Sequence, residues 1–340
     1  TKGGTVEISY NYAKTGANEY ISALIMDEVG NPIYYGRSNA PLTEQNGTAQ
    51  LTIPAGFAEG TYTLKVFNEQ YNGDYKTDLA SGFTDVKLTV KKQADEQFTL
   101  TPGGKYYFDL SAMGIPGTVN STLDGGTQTD GTLHYVPFTY VGTVDAYSLE
   151  SATDTDTQSY AHSLFIADYN VTHIVSWDAL NEKGLIFGKT YTSGGINYTM
   201  RAPSAGTAYN GSYGESGIPV NNEWDMILKK AGQDSEDNTT GYIKNWWPMA
   251  SWGQDSWSKN EQCRTLRGYT SAHFCLSHPA ADSITDLGFR PVLELPTNLA
   301  ADSLKVVEVR TGIPGETKNW INIIVKKGES FTAPAAEGQL

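Results

Sequence analysis

The residues of this sequence that could do chemistry are few, and the two cysteines are the first to consider. Cys263 and Cys275 lie twelve residues apart. In an exported protein they would be able to form a local disulfide, and in a reduced one they would be partly buried thiols. The sequence leaves both interpretations open. No Cys/His spacing typical of a zinc site is present.

Other catalytic and metal-binding motifs are incomplete or missing from the sequence. It contains no Gly-x-Ser-x-Gly, no His-Glu-x-x-His and no phosphate-binding loop. The run Asp154-Thr-Asp156 begins like a calcium loop, but Ser159 stands where that loop needs Gly and Phe165 where it needs Glu. We therefore expect no catalytic residue, no metal site and no cofactor.

Composition narrows the class of protein. The 340 residues are enough for two or three domains, and the hydrophobic (39%) and aromatic (11%) fractions are too high for a disordered chain. The net charge of −14 argues against a nucleic-acid backbone as partner. No apolar run approaches the roughly 20 residues needed to cross a bilayer, so we expect no membrane span.

Charge divides the chain into three segments. Residues 1–92 carry 8 basic and 10 acidic side chains, residues 93–298 carry 11 and 23, and residues 299–340 carry 5 and 5. Six of the seven Trp and both Cys lie in the middle segment. We predict a domain in each of the first two segments and a strand-containing tail, leading into a following repeat, in the third.

The first segment reads as a β-sandwich. Period-2 alternation of apolar residues recurs in five short stretches separated by turn residues, which is typical of an immunoglobulin-like sandwich. The stretches are 5–10, 20–25, 49–53, 61–67 and 85–90.

The middle segment mixes short strands with two short helices. Residues 176–184 have a Ser N-cap and a Gly stop, and residues 222–232 have an Asn cap, early acids and late lysines. Trp224, Ile227 and Leu228 form an apolar stripe that predicts a core-facing helix side. The fold class is therefore mainly β with an α+β domain, and the tail adds strands near 304–309 and 320–325.

Several motifs resemble those of a known family. Residues 263–268 (Cys-Arg-Thr-Leu-Arg-Gly) and 287–294 (Leu-Gly-Phe-Arg-Pro-Val-Leu-Glu) resemble the closing motifs of the C-type lectin-like fold. The branch in question is shared by formylglycine-generating enzymes and the bacterial variable proteins of diversity-generating retroelements. Upstream stretches 198–203, 222–225 and 251–255 agree, and the first segment looks like the immunoglobulin-like module that often precedes such domains.

The two branches imply different functions. The enzyme branch uses two closely spaced cysteines after the Arg-Gly, whereas here Cys275 follows Gly268 without a partner. The resemblance therefore implies a non-catalytic binding domain, and a formylglycine-generating-type oxidase is the less favoured alternative. A structural spacer or adhesive stalk is the other alternative.

Retroelement diversification is a further hypothesis. It replaces Asn codons by a set that excludes Lys, Glu, Gln, Met and Trp. Residues 268–289 contain none of the five, although residues 129–149 contain none either.

The resemblance places a recognition segment between residues 268 and 287, with exposed side chains on a backbone held by flanking strands. The predicted ligand-binding residues are Trp257, Tyr269, Ser271, His273, Phe274, Leu276, Ser277, His278, Asp282, Ile284 and Asp286. The predicted structural residues are Trp224, Arg267, Gly268, Gly288, Phe289 and Arg290. Trp257, flanked by Ser256 and Ser258, is expected to be exposed, and Trp246 and Trp252 are expected in the core.

Partners and location follow from the same resemblance. We expect an unknown protein or glycan ligand on another cell, a phage or a host surface, and a monomeric protein. The tripeptides of calcium-dependent sugar-binding lectins are missing from the sequence. Because the chain starts at Thr1 without a leader, we interpret it as a piece of a longer extracellular bacterial protein, attached to the cell surface through other segments.

Overall fold

The protein is built mainly of β-strands arranged in two compact units, Thr1–Gln93 and Ala94–Leu340. The computed structural model describes residues 4–11, 19–38, 40–54, 56–70, 84–90, 94–120, 132–145, 160–210, 216–218, 222–228, 249–272, 274–310 and 320–331. The mainly β, α+β class is as predicted. The predicted tail, from residue 299, belongs to the second unit. Assignment of the units to immunoglobulin-like and C-type lectin-like domains stays a prediction.

The first unit contains six strands in its described part. They are β1 (Gly4–Asn11), β2 (Glu19–Met26), β3 (Pro32–Arg37), β4 (Asn46–Ile53), β5 (Gly60–Gln70) and β6 (Thr84–Val90). β1 pairs with β4, and the other four form an antiparallel sheet in the order β3-β2-β5-β6. Ala23, Leu51 and Leu64 share one core drawn from both sheets, which makes this unit a sandwich.

Alternation explains the strand faces of this unit. In β4 the side chains of Ala49, Leu51 and Ile53 are buried while the residues between them are exposed, the period-2 pattern read from the sequence. β2 is central in its sheet, and most of its residues are buried.

The second unit contains two six-stranded sheets. One has the order β12-β13-β20-β10-β9-β7 and the other the order β18-β17-β16-β19-β11-β8, while β14-β15 and β21-β22 form separate two-stranded pairs. The strands are β7 (Lys105–Phe108), β8 (Thr118–Val119), β9 (Val136–Val144), β10 (His162–Ala167), β11 (Thr172–His173), β12 (Lys189–Ser193), β13 (Ile196–Arg201), β14 (Ala208–Asn210), β15 (Ser216–Ile218), β16 (Ala250–Trp257), β17 (Asn260–Gly268), β18 (Cys275–Pro279), β19 (Leu287–Phe289), β20 (Val292–Glu294), β21 (Leu304–Arg310) and β22 (Trp320–Lys326).

Aromatic packing dominates the core that these two sheets share. Phe108 makes edge-to-face contacts with Phe138, Phe165 and Tyr198 of the first sheet, at centroid distances of 5.3, 5.3 and 5.4 Å. Trp252 and Phe289 of the second sheet belong to the same cluster, and Trp252 is completely buried, as predicted. The core therefore fixes the second sheet, which carries the predicted recognition segment.

Two short α-helices begin at the predicted caps. α1 (Trp177–Glu182) starts after Ser176, whose hydroxyl accepts a hydrogen bond from the N–H of Ala179 at 3.1 Å. α2 (Glu223–Leu228) follows Asn222, whose Oδ1 accepts from the N–H of Asp225 at 2.9 Å. Within the described residues, no helix is long and apolar enough to span a membrane.

The predicted stripe of α2 faces the core. Trp224, Ile227 and Leu228 are at most 1% exposed, and they cluster with Leu164 and Val292 of the first sheet. The helix therefore covers the first sheet on the face opposite the aromatic core.

Candidate functional site

A buried ion pair supports the start of the predicted recognition segment. Arg267, near the end of β17, is completely buried and its Nη2 donates to Asp225 Oδ1 of α2 at 2.5 Å. Its Nη1 donates to the carbonyl of Ala205 at 3.1 Å. Burial lowers the pKa of Arg267, but the charges and hydrogen bond of its neighbours, with Asp225 the largest contributor, together raise it above its ordinary value, so the guanidinium stays charged. Truncating either partner would leave a buried charge.

The connection between β17 and β18, from residue 269 to 274, is held by α2. Gly268 and Tyr269 both adopt left-handed backbone conformations, with φ of 88° and 91°. Glycine adopts this conformation without a steric penalty, which accounts for the glycine at position 268. The N–H of Gly268 donates to the carbonyl of Phe274 at 3.0 Å. The indole N–H of Trp224 donates to the carbonyl of Ala272. The turn backbone is thus fixed from two sides.

β18 is the edge strand of the second sheet. It pairs with β17 from Cys275 opposite Arg267 to Pro279 opposite Cys263. Leu276 lies opposite Leu266 and packs against the core, which leaves it half-buried. Ser277 and His278 are also half-buried.

One face of this edge carries both signs of charge beside aromatic rings. His278 Nδ1 lies 2.6 Å from Asp282 Oδ2, and His278 is opposite Arg264 in the strand register. The Arg264 guanidinium lies 4.3 Å from the centroid of the Trp177 ring. Trp177 contacts Phe187, which is 39% exposed, at 5.9 Å. We call His278, Asp282, Arg264 and Phe187 the edge surface.

Arg264 and Phe187 were not among the residues predicted from the sequence. The sequence could have pointed to Arg264, because period-2 alternation in β17 places its side chain on the same face of the strand as that of Leu266. Phe187 has no such signal, since its position depends on contact with α1.

The loop from 280 to 286 has its backbone fastened at both ends. The N–H of Ala280 donates to the carbonyl of Gln262 at 2.9 Å, and the Ala280 carbonyl accepts from Asp178 at 3.1 Å. At the other end Asp286 accepts from the N–H of Ala250 at 2.8 Å. Ile284, between them, is 46% exposed. Side chains on this loop can therefore project from a fixed backbone.

The predicted ligand-binding residues fall into three environments. Ile284 is exposed, and the half-buried group comprises Tyr269, Phe274, Leu276, Ser277, His278, Asp282 and Asp286. Ser271 and Trp257 are each only 6% exposed, so the expectation that their side chains are exposed is wrong. His273, like Trp246 and the run from Asp154 to Asp156, lies outside the described residues.

Trp257 is buried by a partner that the sequence does not reveal. Its ring stacks on Tyr209 of β14 at a centroid distance of 5.1 Å and packs against Cys263 and Cys275. Its polar neighbours Ser256 and Ser258 suggested exposure, but the hairpin containing Tyr209 covers this position. Trp257 is thus a buried residue that stabilises the second sheet by packing.

The register of β17 and β18 decides between the two interpretations of the cysteines. Cys263 pairs with Pro279 whereas Cys275 pairs with Arg267, so the two cysteines are four residues apart along the ladder. That offset is about 13 Å at the usual rise per residue. A disulfide needs Cα atoms within about 7 Å. Both cysteines are free and buried, and burial raises the pKa of Cys275 to about 12.

The predicted structural residues are buried beside the segment. Phe289 and Arg290 are completely buried, and Arg290 Nη1 donates to the carbonyls of Ala167 and Asp168, each at 3.1 Å. A Cβ on Gly288 would lie 2.8 Å from the side chain of Asn170, so only glycine fits there. The segment from Gly288 to Arg290 therefore brings the two sheets into close contact.

In the part of the chain that the structure describes, no group of three or more His, Cys, Asp or Glu side chains is arranged to hold a metal ion. His162 is buried and hydrogen-bonded, and His173 contacts the carbonyl of Thr285 at 3.2 Å.

Comparison with known proteins gives one weak likeness. No protein-family model matches the chain, and no curated protein matches it. Among solved structures it is similar to "Treponema denticola variable protein 1", with 14% sequence identity over 46% of this chain and 95% of that chain and a TM-score of 0.23. That likeness assigns no function to this chain.

Proposed function

We propose that the protein is a non-catalytic, ligand-binding protein of the bacterial cell surface. In this proposal residues 274–286 of a C-type lectin-like domain form its recognition segment. The observation that carries the proposal is that the backbone of this segment is fixed by hydrogen bonds whereas its side chains are accessible. Its backbone is fixed by β17, α1 and β16, while Ile284 and the side chains of the edge surface reach solvent. A rigid backbone with outward, mixed side chains suits recognition, because little conformational entropy is lost on binding.

The ligand proposed is a protein or glycan on another cell, a phage or a host surface. The edge surface offers the carboxylate of Asp282 beside His278, and the guanidinium of Arg264, which lies opposite His278 in the ladder and joins the ring of Phe187 through Trp177. Such a set can hydrogen-bond to polar groups and also pack against apolar ones. Arg264 is held on Trp177, which reduces the rotamer freedom that binding must remove.

The same geometry supports the proposal that the segment is diversified by a retroelement. Arg267, Trp224 and Phe289, which hold the segment, lie outside residues 274–286 and are completely buried. Substitutions at Ser277, His278 or Ile284 would therefore change the surface without touching its support. A reverse transcriptase gene next to a copy of the 3′ segment that differs at adenines would establish diversification, and the lack of any such copy would refute it.

The cysteine geometry favours binding over the oxidase alternative. A thiol-dependent oxidase needs a reactive thiolate. Burial raises the pKa of Cys275 to about 12, and Cys263 lies about four ladder positions away. Incubation with a cysteine-containing sulfatase peptide should yield no formylglycine by mass spectrometry. Formation of formylglycine would overturn the proposal.

The binding experiment uses the whole chain, labelled with a fluorophore, on intact bacterial and epithelial cells. One variant combines Ser277→Ala, His278→Ala, Asp282→Ala and Ile284→Ala. A matched control combines Val306→Ala, Glu308→Ala and Arg310→Ala on the exposed face of β21. We expect the first variant to lose cell binding with an unchanged Tm, and the control to bind like the wild type.

Two results would contradict the proposal. If the wild type binds but the first variant binds equally well, the recognition segment is assigned to the wrong place. If the wild type binds neither cell type, the spacer alternative is favoured, since a spacer has no ligand to lose.

A further inference from the structure

A small polar cavity lies away from the recognition segment, where β7 meets β22 and the turn between β12 and β13. Its volume is about 160 Å³, the space of about five water molecules. The lining combines one carboxylate, Asp109, with three aromatic rings, those of Tyr107, Tyr135 and Phe331. Hydroxyl groups of Ser193 and Ser330 complete the polar part of the lining.

The carboxylate in this cavity is positioned by its neighbours. Asp109 Oδ1 accepts from the N–H of Ser111 at 2.9 Å, and Oδ2 lies 3.1 Å from His134 Nδ1. The carbonyl of Asp109 accepts from the hydroxyl of Tyr191 at 3.0 Å. Burial would raise the pKa of Asp109, but the hydrogen bonds of Ser111 and His134 lower it below its ordinary value. The side chain is 37% exposed, so its anionic charge is accessible.

The cavity walls are also held in place. Gly194 is left-handed (φ 56°), and a Cβ there would lie 2.3 Å from the carbonyl of Ile324. The carbonyl of Gly194 accepts from the N–H of Lys326 at 2.8 Å, which joins the β12–β13 turn to β22. Tyr107, Tyr135 and Phe331 pack against buried side chains of β22. The rings and the carboxylate are therefore presented by a rigid frame.

Tyr135 adopts a backbone conformation that a bulky residue rarely takes. Its φ is 51°, which is sterically unfavourable for any residue with a Cβ. Burial raises the pKa of the Tyr135 hydroxyl, and the negative charge of Asp109 raises it further. Strained residues of this kind cluster at ligand sites.

Charge decides which ligand chemistry fits. The residues that line the cavity include one acid, and no Lys or Arg is among them. An anion would be repelled by the carboxylate of Asp109, whereas a cation would be attracted by the carboxylate and by the aromatic rings. We propose that this cavity binds the head of a small organic ammonium cation, either a primary amine or a quaternary ammonium group.

The test is isothermal titration of the full chain with choline, n-butylammonium and 3,3-dimethylbutan-1-ol, the neutral isostere of choline. We expect at least one of the two cations to bind about tenfold or more tightly than the neutral alcohol. Whichever cation binds better identifies a quaternary or a primary source.

Variants locate the binding. Asp109→Asn keeps an oxygen acceptor for the N–H of Ser111 but removes the charge, and it should weaken cation binding about tenfold or more. Tyr135→Phe keeps the ring and should bind like the wild type. Asp302→Asn, on an exposed acid of the same unit that pairs with Lys327, is the matched control and should change nothing.

Four outcomes would overturn the proposal, and only one of them involves a variant. If the neutral alcohol binds as tightly as the cations, the cavity recognises apolar shape and not charge. If methyl glucoside, titrated in the same way, binds and the cations do not, the cavity is a saccharide site. No binding by either cation at millimolar concentration, or cation binding that Asp109→Asn leaves unchanged, would also refute it.

Discussion

His162 Nε2 lies 2.6 Å from Glu223 Oε1, and both side chains are completely buried. The other ring nitrogen, Nδ1, lies 3.0 Å from the carbonyl of Tyr160. Both ring nitrogens of His162 therefore face oxygen atoms. Arg201 donates to Glu223 and to Glu294, so the histidine, the arginine and the two glutamates form one buried hydrogen-bonded cluster.

The first prediction concerns acid stability and Glu223. Burial raises the pKa of Glu223, but Arg201 and then His162 lower it by more, to about 2 from an ordinary value of 4.5. Because the folded pKa is the lower one, the stabilisation is present above about pH 4.5 and is lost as the pH falls towards 2. It amounts to about 3 kcal/mol.

Urea unfolding of the wild type and of Glu223→Gln at pH 6, 5, 4 and 3 measures this effect. We expect the variant to be about 3–5 kcal/mol less stable at pH 6, because it leaves His162 without a carboxylate and Arg201 with only that of Glu294, and the gap to narrow in acid. Glu308→Gln, at an exposed ion pair, should show no such gap. A gap that is independent of pH would contradict the role given to the Glu223 charge.

Local sequence patterns predicted the helices and strands, but they did not predict which of the side chains on them are buried in every case. The cap at Ser176 and the alternation in β4 depend on neighbours in sequence, and both are found. The burial of Trp257 depends on Tyr209, a residue of another hairpin. Likewise the parallel pairing of β16 with β19 comes from long-range topology, which residue spacing does not encode.

The second prediction separates the recognition segment from its support. Phe289→Ala and Trp224→Ala should each cost about 3–5 kcal/mol, because both side chains are completely buried. Ile284→Ala should cost about 0.5 kcal/mol or less, since its side chain is 46% exposed. Leu276→Ala should fall between these values, because this half-buried residue packs against the core. Thermal and urea unfolding measure all four, and a loss at Ile284 equal to that at Phe289 would make the loop part of the core.

The third prediction concerns the planar group of Arg290. Its Nη1 donates to two carbonyl groups, and burial lowers its pKa to about 10 although Asp168 opposes that effect. Arg290→Lys keeps the charge but cannot reproduce the fork, so we expect a loss of about 1–3 kcal/mol in urea unfolding. Arg310→Lys, at an exposed pair with Glu308, is the control and should stay within about 0.5 kcal/mol of the wild type. Equal stability of the two variants would show that charge alone suffices at residue 290.

The fourth prediction is that Cys263 and Cys275 stay unlinked even in an oxidising environment. Their positions in the β17–β18 ladder hold them about 13 Å apart, and closing that distance would require breaking the pairing of the two strands. Peptide mapping by mass spectrometry after non-reducing purification should therefore find both thiols free. In the folded protein Cys275 should also react with iodoacetamide far more slowly than in urea, because it is 2% exposed and its thiol pKa is raised to about 12. Recovery of a Cys263–Cys275 peptide from folded protein, or alkylation of Cys275 at equal rates in both states, would show that β18 leaves the sheet edge readily. In that case the recognition segment would lack the rigid backbone on which the proposed function rests.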